Sequence, residues 1–235
     1  IIATIIVSCD NRQEKKAVKL MTLDPGHFHA ALIQKTSYDD IDLSVDVYAP
    51  DGPEVDNFIK SIEAYNSREN NPTNWNVNLH LGENYLENMI SEKPGNVMVV
   101  SGKNSKKIDY ILAAVKAGLN VYADKPLVTG PEGLKKLEEV FRIAKENNLL
   151  VYDIMTERFE VTTGIQKALS MSHSIFGQLI EGSESKPAIS KESVHHLFKY
   201  VSGKPLVRPA WFLDTEQQGE GIVDVTTHLV DLVQW

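Results

Sequence analysis

From Ala17 onward, short apolar runs alternate with longer stretches in which apolar residues recur at helical spacing. That alternation is the pattern of βαβ units and a parallel sheet. Strands are expected near 18–23, 43–48, 77–81, 97–100, 120–122 and 150–154, with helices between them. The clearest helix covers 131–148, with Pro131 at a first-turn position and Leu134, Leu137, Val140, Phe141 and Ala144 on one face. A second is expected over 107–116, stopping at Gly118 as a C-cap. The stretch 66–76 is polar, Asn-rich and contains Pro72, and reads as an exposed loop before the third strand. Beyond Met155 the pattern changes to a helix over 161–171, a Ser/Glu/Lys/Pro-rich stretch over 181–192, and strand-like segments at 198–203 and 209–214. The shift places a domain boundary near Thr156.

The first nine residues form an apolar run too short to span a bilayer but of a size to end a signal h-region. The run meets Cys9, and Ile6-Val7-Ser8-Cys9 resembles a bacterial lipobox, whose cysteine is acylated and becomes the mature N-terminus. On this reading residues 10–16 are a tether and the protein is an exported periplasmic or outer-membrane lipoprotein, touching membrane only through Cys9. The alternative is a buried first strand with an incidental cysteine in a cytoplasmic protein. A single cysteine excludes an internal disulfide framework and any cysteine-based zinc cluster. A net charge of -8, with no basic block to offset it, excludes the phosphate attraction on which nucleic-acid binders rely. With 235 residues, 42% of them hydrophobic, the chain is long enough for one large domain or two smaller ones.

The first strand runs into Leu23-Asp24-Pro25-Gly26-His27-Phe28-His29-Ala30-Ala31-Leu32, a tight turn and a helix start, where a dinucleotide fold seats pyrophosphate on a helix N-terminus. The glycine fingerprint is degraded, because Asp24 and His29 stand where glycines would be and only Gly26 remains. Asp24 puts a carboxylate near the phosphates. His27 and His29 sit two apart with no third ligand at convincing spacing, so no metal is expected and the pair reads as a turn that caps or stacks. At the end of the second strand, Asp51 is a candidate acceptor for a ribose hydroxyl, although Pro50-Asp51-Gly52 is also an ordinary turn.

Two further strings carry the strongest signal. Ala117-Gly118-Leu119-Asn120-Val121-Tyr122-Ala123-Asp124-Lys125-Pro126 resembles the A-G-x-x-V-x-x-E-K-P signature of the glucose-fructose oxidoreductase and inositol dehydrogenase (Gfo/Idh/MocA) family, with Asp124 for the common Glu. Gly219-Glu220-Gly221, followed by Asp224, His228 and Asp231, resembles the family's G-G-G-x-x-x-D-x-x-x-H-x-x-D segment, and the 4,3 spacing places the three side chains on one helix face. Independently, a lysine at the carboxyl end of a parallel strand points into the crevice where such sheets bind ligands, and imidazole suits proton transfer near working pH.

The resemblance implies an α/β fold over residues 17–155, a Rossmann-type doubly wound parallel sheet. Residues 156–235 are then the start of an α+β open-sheet domain. It implies NAD or NADP held by Gly26, His27, Phe28, Asp51, Gly102, Asn104, Asp124 and Lys125, with Lys125, Asp224 and His228 catalytic. The expected reaction is hydride transfer to or from a sugar, polyol or glycoside hydroxyl carbon. Family members continue through the open sheet beyond this point, so a fragment is expected, with a homo-oligomer in the full-length protein. Two departures stand out: Lys107 where the family has histidine, and Gly102-Lys103-Asn104 where it has Thr-Pro-Asn. An NAD-dependent glycosidase or lyase with internal hydride return, and a non-catalytic sugar-binding lipoprotein, remain open alternatives.

Overall fold

The computed structural model describes residues 17–194, 196 and 198–235. The lipobox reading at Cys9 and the tether over 10–16 lie outside the described residues. Six strands form one parallel sheet: β1 (Leu20–Leu23), β2 (Ser44–Ala49), β3 (Asn76–Leu81), β4 (Val97–Val100), β5 (Asn120–Asp124) and β6 (Val151–Ile154), in the order β3-β2-β1-β4-β5-β6. This is the doubly wound order of dinucleotide-binding sheets, with its reversal between β1 and β4.

The helices that connect the strands are α1 (His29–Leu32), α2 (Pro53–Ser67), α3 (Tyr85–Glu92), α4 (Asn104–Lys116) and α5 (Leu134–Glu146). Because strand side chains alternate between faces, β1, β2 and β4 feed two cores. Met21, Leu23, Met98 and Val100 pack with α3, α4 and α5, while Leu20, Val45, Val47 and Val99 pack with α1 and α2. After β6 come α6 (Val161–Ser170), α7 (His173–Phe176), a two-stranded antiparallel pair β7 (Tyr200–Val201) and β8 (Lys204–Pro205), then α8 (Thr215–Gln218), α9 (Gly221–Asp224) and α10 (Thr226–Gln234). Among the described residues no helix is long and apolar enough to cross a membrane.

Four expectations need correction. Residues 209–214 are not a strand: Ala210–Leu213 is a 3-10 turn that buries Trp211 and Phe212. The 66–76 stretch is not wholly an exposed loop. Helix α2 extends to Ser67, and Trp75 is buried with its indole N–H donating to the Gln34 carbonyl at 2.6 Å. On α5, Leu134 and Phe141 are half exposed, and the buried stripe is Val140, Ile143 and Ala144. The segment carrying Asp224, His228 and Asp231 is not one helix: it breaks at Val225, leaving Asp224 on α9 and His228 and Asp231 on α10, where Asp231 pairs with Arg158.

Candidate active site

The site hangs from the turns at the carboxyl ends of β1, β4 and β5, at the switch point of the sheet. Asp24 opens the first turn in the left-handed region, at φ 45°, a conformation that L side chains other than Asn and Asp rarely adopt. The amides of Gly26 and His27 then both donate to the Ser101 carbonyl, at 3.1 and 2.9 Å. The loop is thereby tied to the turn after β4, and neither amide is free for a phosphate. The helix that follows, α1, has only four residues, so it offers little of the N-terminal dipole expected from the sequence. Close approach explains the two glycines. A Cβ at Gly102 would lie 2.3 Å from the Asp24 carbonyl, and one at Gly26 would lie 2.9 Å from the Trp211 ring.

Asp124, at the end of β5, is almost fully buried. Its Oδ1 lies 2.9 Å from His29 Nδ1, its Oδ2 lies 2.8 Å from His27 Nδ1, and Oδ2 also accepts from Ser101 Oγ at 3.0 Å. The His29 and Ser101 contacts are hydrogen bonds. His27 Nδ1 is close enough but misaligned, and remains buried without a hydrogen-bond partner. Burial pushes the Asp124 carboxyl up, yet the imidazoles of His29 and His27 hold it well below the usual carboxylate range. Burial lowers the His27 pKa to about 4 against the pull of Asp124.

Lys125 Nζ donates to the Asp224 carbonyl at 2.7 Å and to Asp224 Oδ1 at 2.9 Å. This contact joins the Asp-Lys-Pro turn to the start of the glycine-histidine segment, 99 positions along. Burial alone would raise the Asp224 pKa, but Lys125 brings it below the ordinary value. His228 is buried beside them, with its pKa pushed down to about 4 by burial and then by Lys125, so its ring is neutral at pH 7. Its Nδ1 is 3.8 Å from Glu157 Oε1.

Lys107 is completely buried and donates to Asn104 Oδ1 (2.5 Å), the Asp124 carbonyl (2.9 Å) and the Pro126 carbonyl (3.2 Å). It therefore bridges α4 to both sides of the Lys125 turn. Burial lowers its pKa to about 8.

The fold thus gathers Gly26, His27, Phe28, Gly102, Asn104, Asp124, Lys125, Asp224 and His228 around one crevice. Within it, both polar ends of the Asn104 side chain are taken by protein partners, Lys107 and the Gln218 carbonyl. Asp51 stands apart, exposed in the bend after β2. Reading the residues alone missed Trp211, whose signal was an aromatic pair following Pro209-Ala210, and the structural role of Lys107. It also missed Asp124 as the third group facing His27 and His29, which no local spacing reveals.

A shallow cleft lies beside this cluster, lined by Asp24, Gly26, Ala49, Pro50, Glu54, Lys103 and Trp211. Trp211 Nε1 is a buried donor without a partner. With Lys103 nearby, it fits the phosphates of a dinucleotide better than the occupied loop amides do.

The sheet order, with this cleft at its switch point, defines a Rossmann-type dinucleotide-binding domain. The chain belongs to the Gfo/Idh/MocA group: the "Oxidoreductase family, NAD-binding Rossmann fold" matches residues 25–153. The "Putative oxidoreductase C terminal domain" matches residues 165–235. A crystal structure of a "putative oxidoreductase" from Parabacteroides merdae is similar at 56% identity and TM-score 0.89, over 94% of this chain and 50% of that one. This chain therefore spans about half the length of that relative. The WlbA dehydrogenase from Bordetella pertussis, solved with NADH and UDP-GlcNAcA, matches at 14% identity and TM-score 0.55, over 93% of this chain and 59% of its own. The scyllo-inositol dehydrogenase from Lactobacillus casei, solved with NAD(H) and scyllo-inositol, matches at 16% identity and TM-score 0.50, over 68% and 42%. No curated protein matches the chain.

Proposed function

We propose that this protein, in its full-length form, transfers hydride between a nicotinamide dinucleotide and a hydroxyl-bearing carbon of a sugar, polyol or glycoside. The observation that carries the reading is the buried Lys125–Asp224 pair with His228 beside it, at the sheet's switch point. When bound, the nicotinamide supplies the hydride acceptor or donor. The Lys125 ammonium, held by Asp224, stabilises negative charge developing on the substrate oxygen. The neutral His228 ring accepts the hydroxyl proton. Lys103 and Trp211 would hold the dinucleotide's phosphates.

At the adenosine end, Asp51 and Glu54 disfavour a 2′-phosphate, so NAD is the preferred form. The substrate class is supported by several charged and polar side chains converging where an apolar ligand would find no partners, and by the neighbours solved with scyllo-inositol and UDP-GlcNAcA.

The test is NAD reduction by the full-length protein across a panel of polyols, sugars and glycosides. Lys125→Ala and His228→Ala are each expected to lower turnover roughly 100-fold or more, the scale of a lost proton-transfer group. Near-native activity in both variants, or no nicotinamide turnover with any of these substrates, would refute the assignment.

The lipobox-like Ile6-Val7-Ser8-Cys9 supports an extracytoplasmic membrane face as the place of this activity. Expressed with its native N-terminus in a bacterial host, the protein should fractionate with membranes, and Cys9→Ala should release it.

A further inference from the structure

The His27–Asp124–His29 cluster has a property that dinucleotide binding does not use. We propose that it is a binding site for one zinc-class divalent transition-metal ion.

One ring nitrogen from each imidazole and a carboxylate oxygen lie within 4.8 Å of one another, a nitrogen and oxygen donor set suited to zinc, cobalt(II) or iron(II). All three residues come from rigid places in the fold: the tied loop after β1, the first residue of α1 and the end of β5. His29 and Asp124 are buried, and the His27 side chain is 12% exposed, so the donors are already desolvated and converging. Ser101 Oγ steadies the carboxylate from behind, as an outer hydrogen bond does around a metal ligand.

The metal-free arrangement is incomplete. The carboxylate serves His29 with a hydrogen bond, but His27 Nδ1, although 2.8 Å from Oδ2, makes no hydrogen bond of proper geometry in its buried setting. A buried polar atom left in this way is costly, and an ion set among the three groups would satisfy it, with the imidazole protons on Nε2. Three protein ligands leave a position open for a ligand oxygen, the arrangement of catalytic rather than structural zinc. Lys107 and Lys125 are the nearby cations that oppose occupancy. Asp224 neutralises Lys125, and Lys107 faces backbone carbonyls and an amide. The inference does not depend on the hydride-transfer reading, since it concerns binding in the absence of nucleotide and substrate.

The experiment uses full-length protein without a histidine tag, carrying Cys9→Ser to remove the thiol, stripped with chelator and titrated with cobalt(II) and then zinc. One equivalent of cobalt(II) should bind with the visible absorption of low coordination, be displaced by zinc, and raise the melting temperature. His27→Gln and His29→Gln should each weaken binding at least tenfold, while His80→Gln, at an imidazole paired with Asp46 on β2, should leave it unchanged. Circular dichroism and a cooperative melting transition report whether each variant folds. Absence of saturable one-equivalent binding to the parent protein overturns the proposal whatever the variants do. So does binding that survives loss of both His27 and His29.

Discussion

Asp24 occupies a place where the dinucleotide fingerprint has glycine, and two features of its setting oppose it. Its backbone is left-handed, and its carboxyl, buried against Tyr110, has its pKa raised first by burial. The Tyr110 hydroxyl donates to it at 3.1 Å and is itself linked to the Tyr85 hydroxyl at 2.5 Å, so the side chain is held rather than free. A carboxylate on the wall of a phosphate cleft repels the ligand. Asp24→Gly removes the charge and suits the backbone. The expected outcome is NAD binding tighter by roughly tenfold, about 1.4 kcal/mol, measured by calorimetry on the full-length protein. At this scale the sequence was informative about identity but not about partners. Asp24, Gly26, Asp124 and Lys125 could be singled out from their strings, whereas Trp211 and the contacts of Asp124 with His27 and His29 acquire meaning only from neighbours far along the chain.

Helix α4 shows how an element built for packing also builds the site. Its apolar face, Ile108, Ile111, Ala114 and Val115, is legible as a helical stripe and goes to the core beside β4 and β5. Its first turn points elsewhere, and Asn104 and Lys107 clamp the Lys125 turn and the loop at Gln218. The sequence marks Lys107 only as a departure from family histidine. A buried lysine with three oxygen partners is a structural clamp, and Lys107→Met, which keeps the stem but loses the bonds, leaves three acceptors unpaired. The variant should lose about 3 kcal/mol of stability, seen as a lower urea midpoint at unchanged slope. The segment 209–214 misled for a related reason: its aromatic run reads as a strand, but Trp211 is drawn onto Gly26 and Phe212 stacks over His27 at 6.3 Å, so tertiary contact selects a turn.

At the scale of the whole molecule, joining the sheet to the segment after β6 buries titratable groups that the unfolded chain leaves in water. His228 is the clearest case: burial, then Lys125 and His29, lower its pKa from 6.5 to about 4, while Asp124 and Asp224 pull the other way. Because the folded value is the lower one, the unfolded chain takes up a proton between pH 6.5 and 4 that the folded protein does not. Stability is therefore full above pH 6.5 and declines as pH falls toward 4, by roughly 3 kcal/mol from this residue. Urea midpoints measured between pH 7.5 and 4.5 on metal-free protein should fall accordingly, and His228→Gln should flatten that part of the profile.

What the sequence by itself determined was the order of elements and the chemistry of two short strings. Strand and helix periods are local, because burying one face imposes a repeat of two or 3.6 residues. The Asp-Lys-Pro and Gly-to-His segments likewise carry their identity in consecutive residues. What the tertiary structure alone decided was which groups meet. Lys125 finds Asp224 99 positions away, and Asp124 finds His29 95 positions back. The Gly26 and His27 amides close onto Ser101 rather than waiting for a phosphate. Those pairings depend on strands β1, β4 and β5 lying side by side with their carboxyl ends together, and parallel pairing across crossover connections is a long-range event that no local repeat encodes.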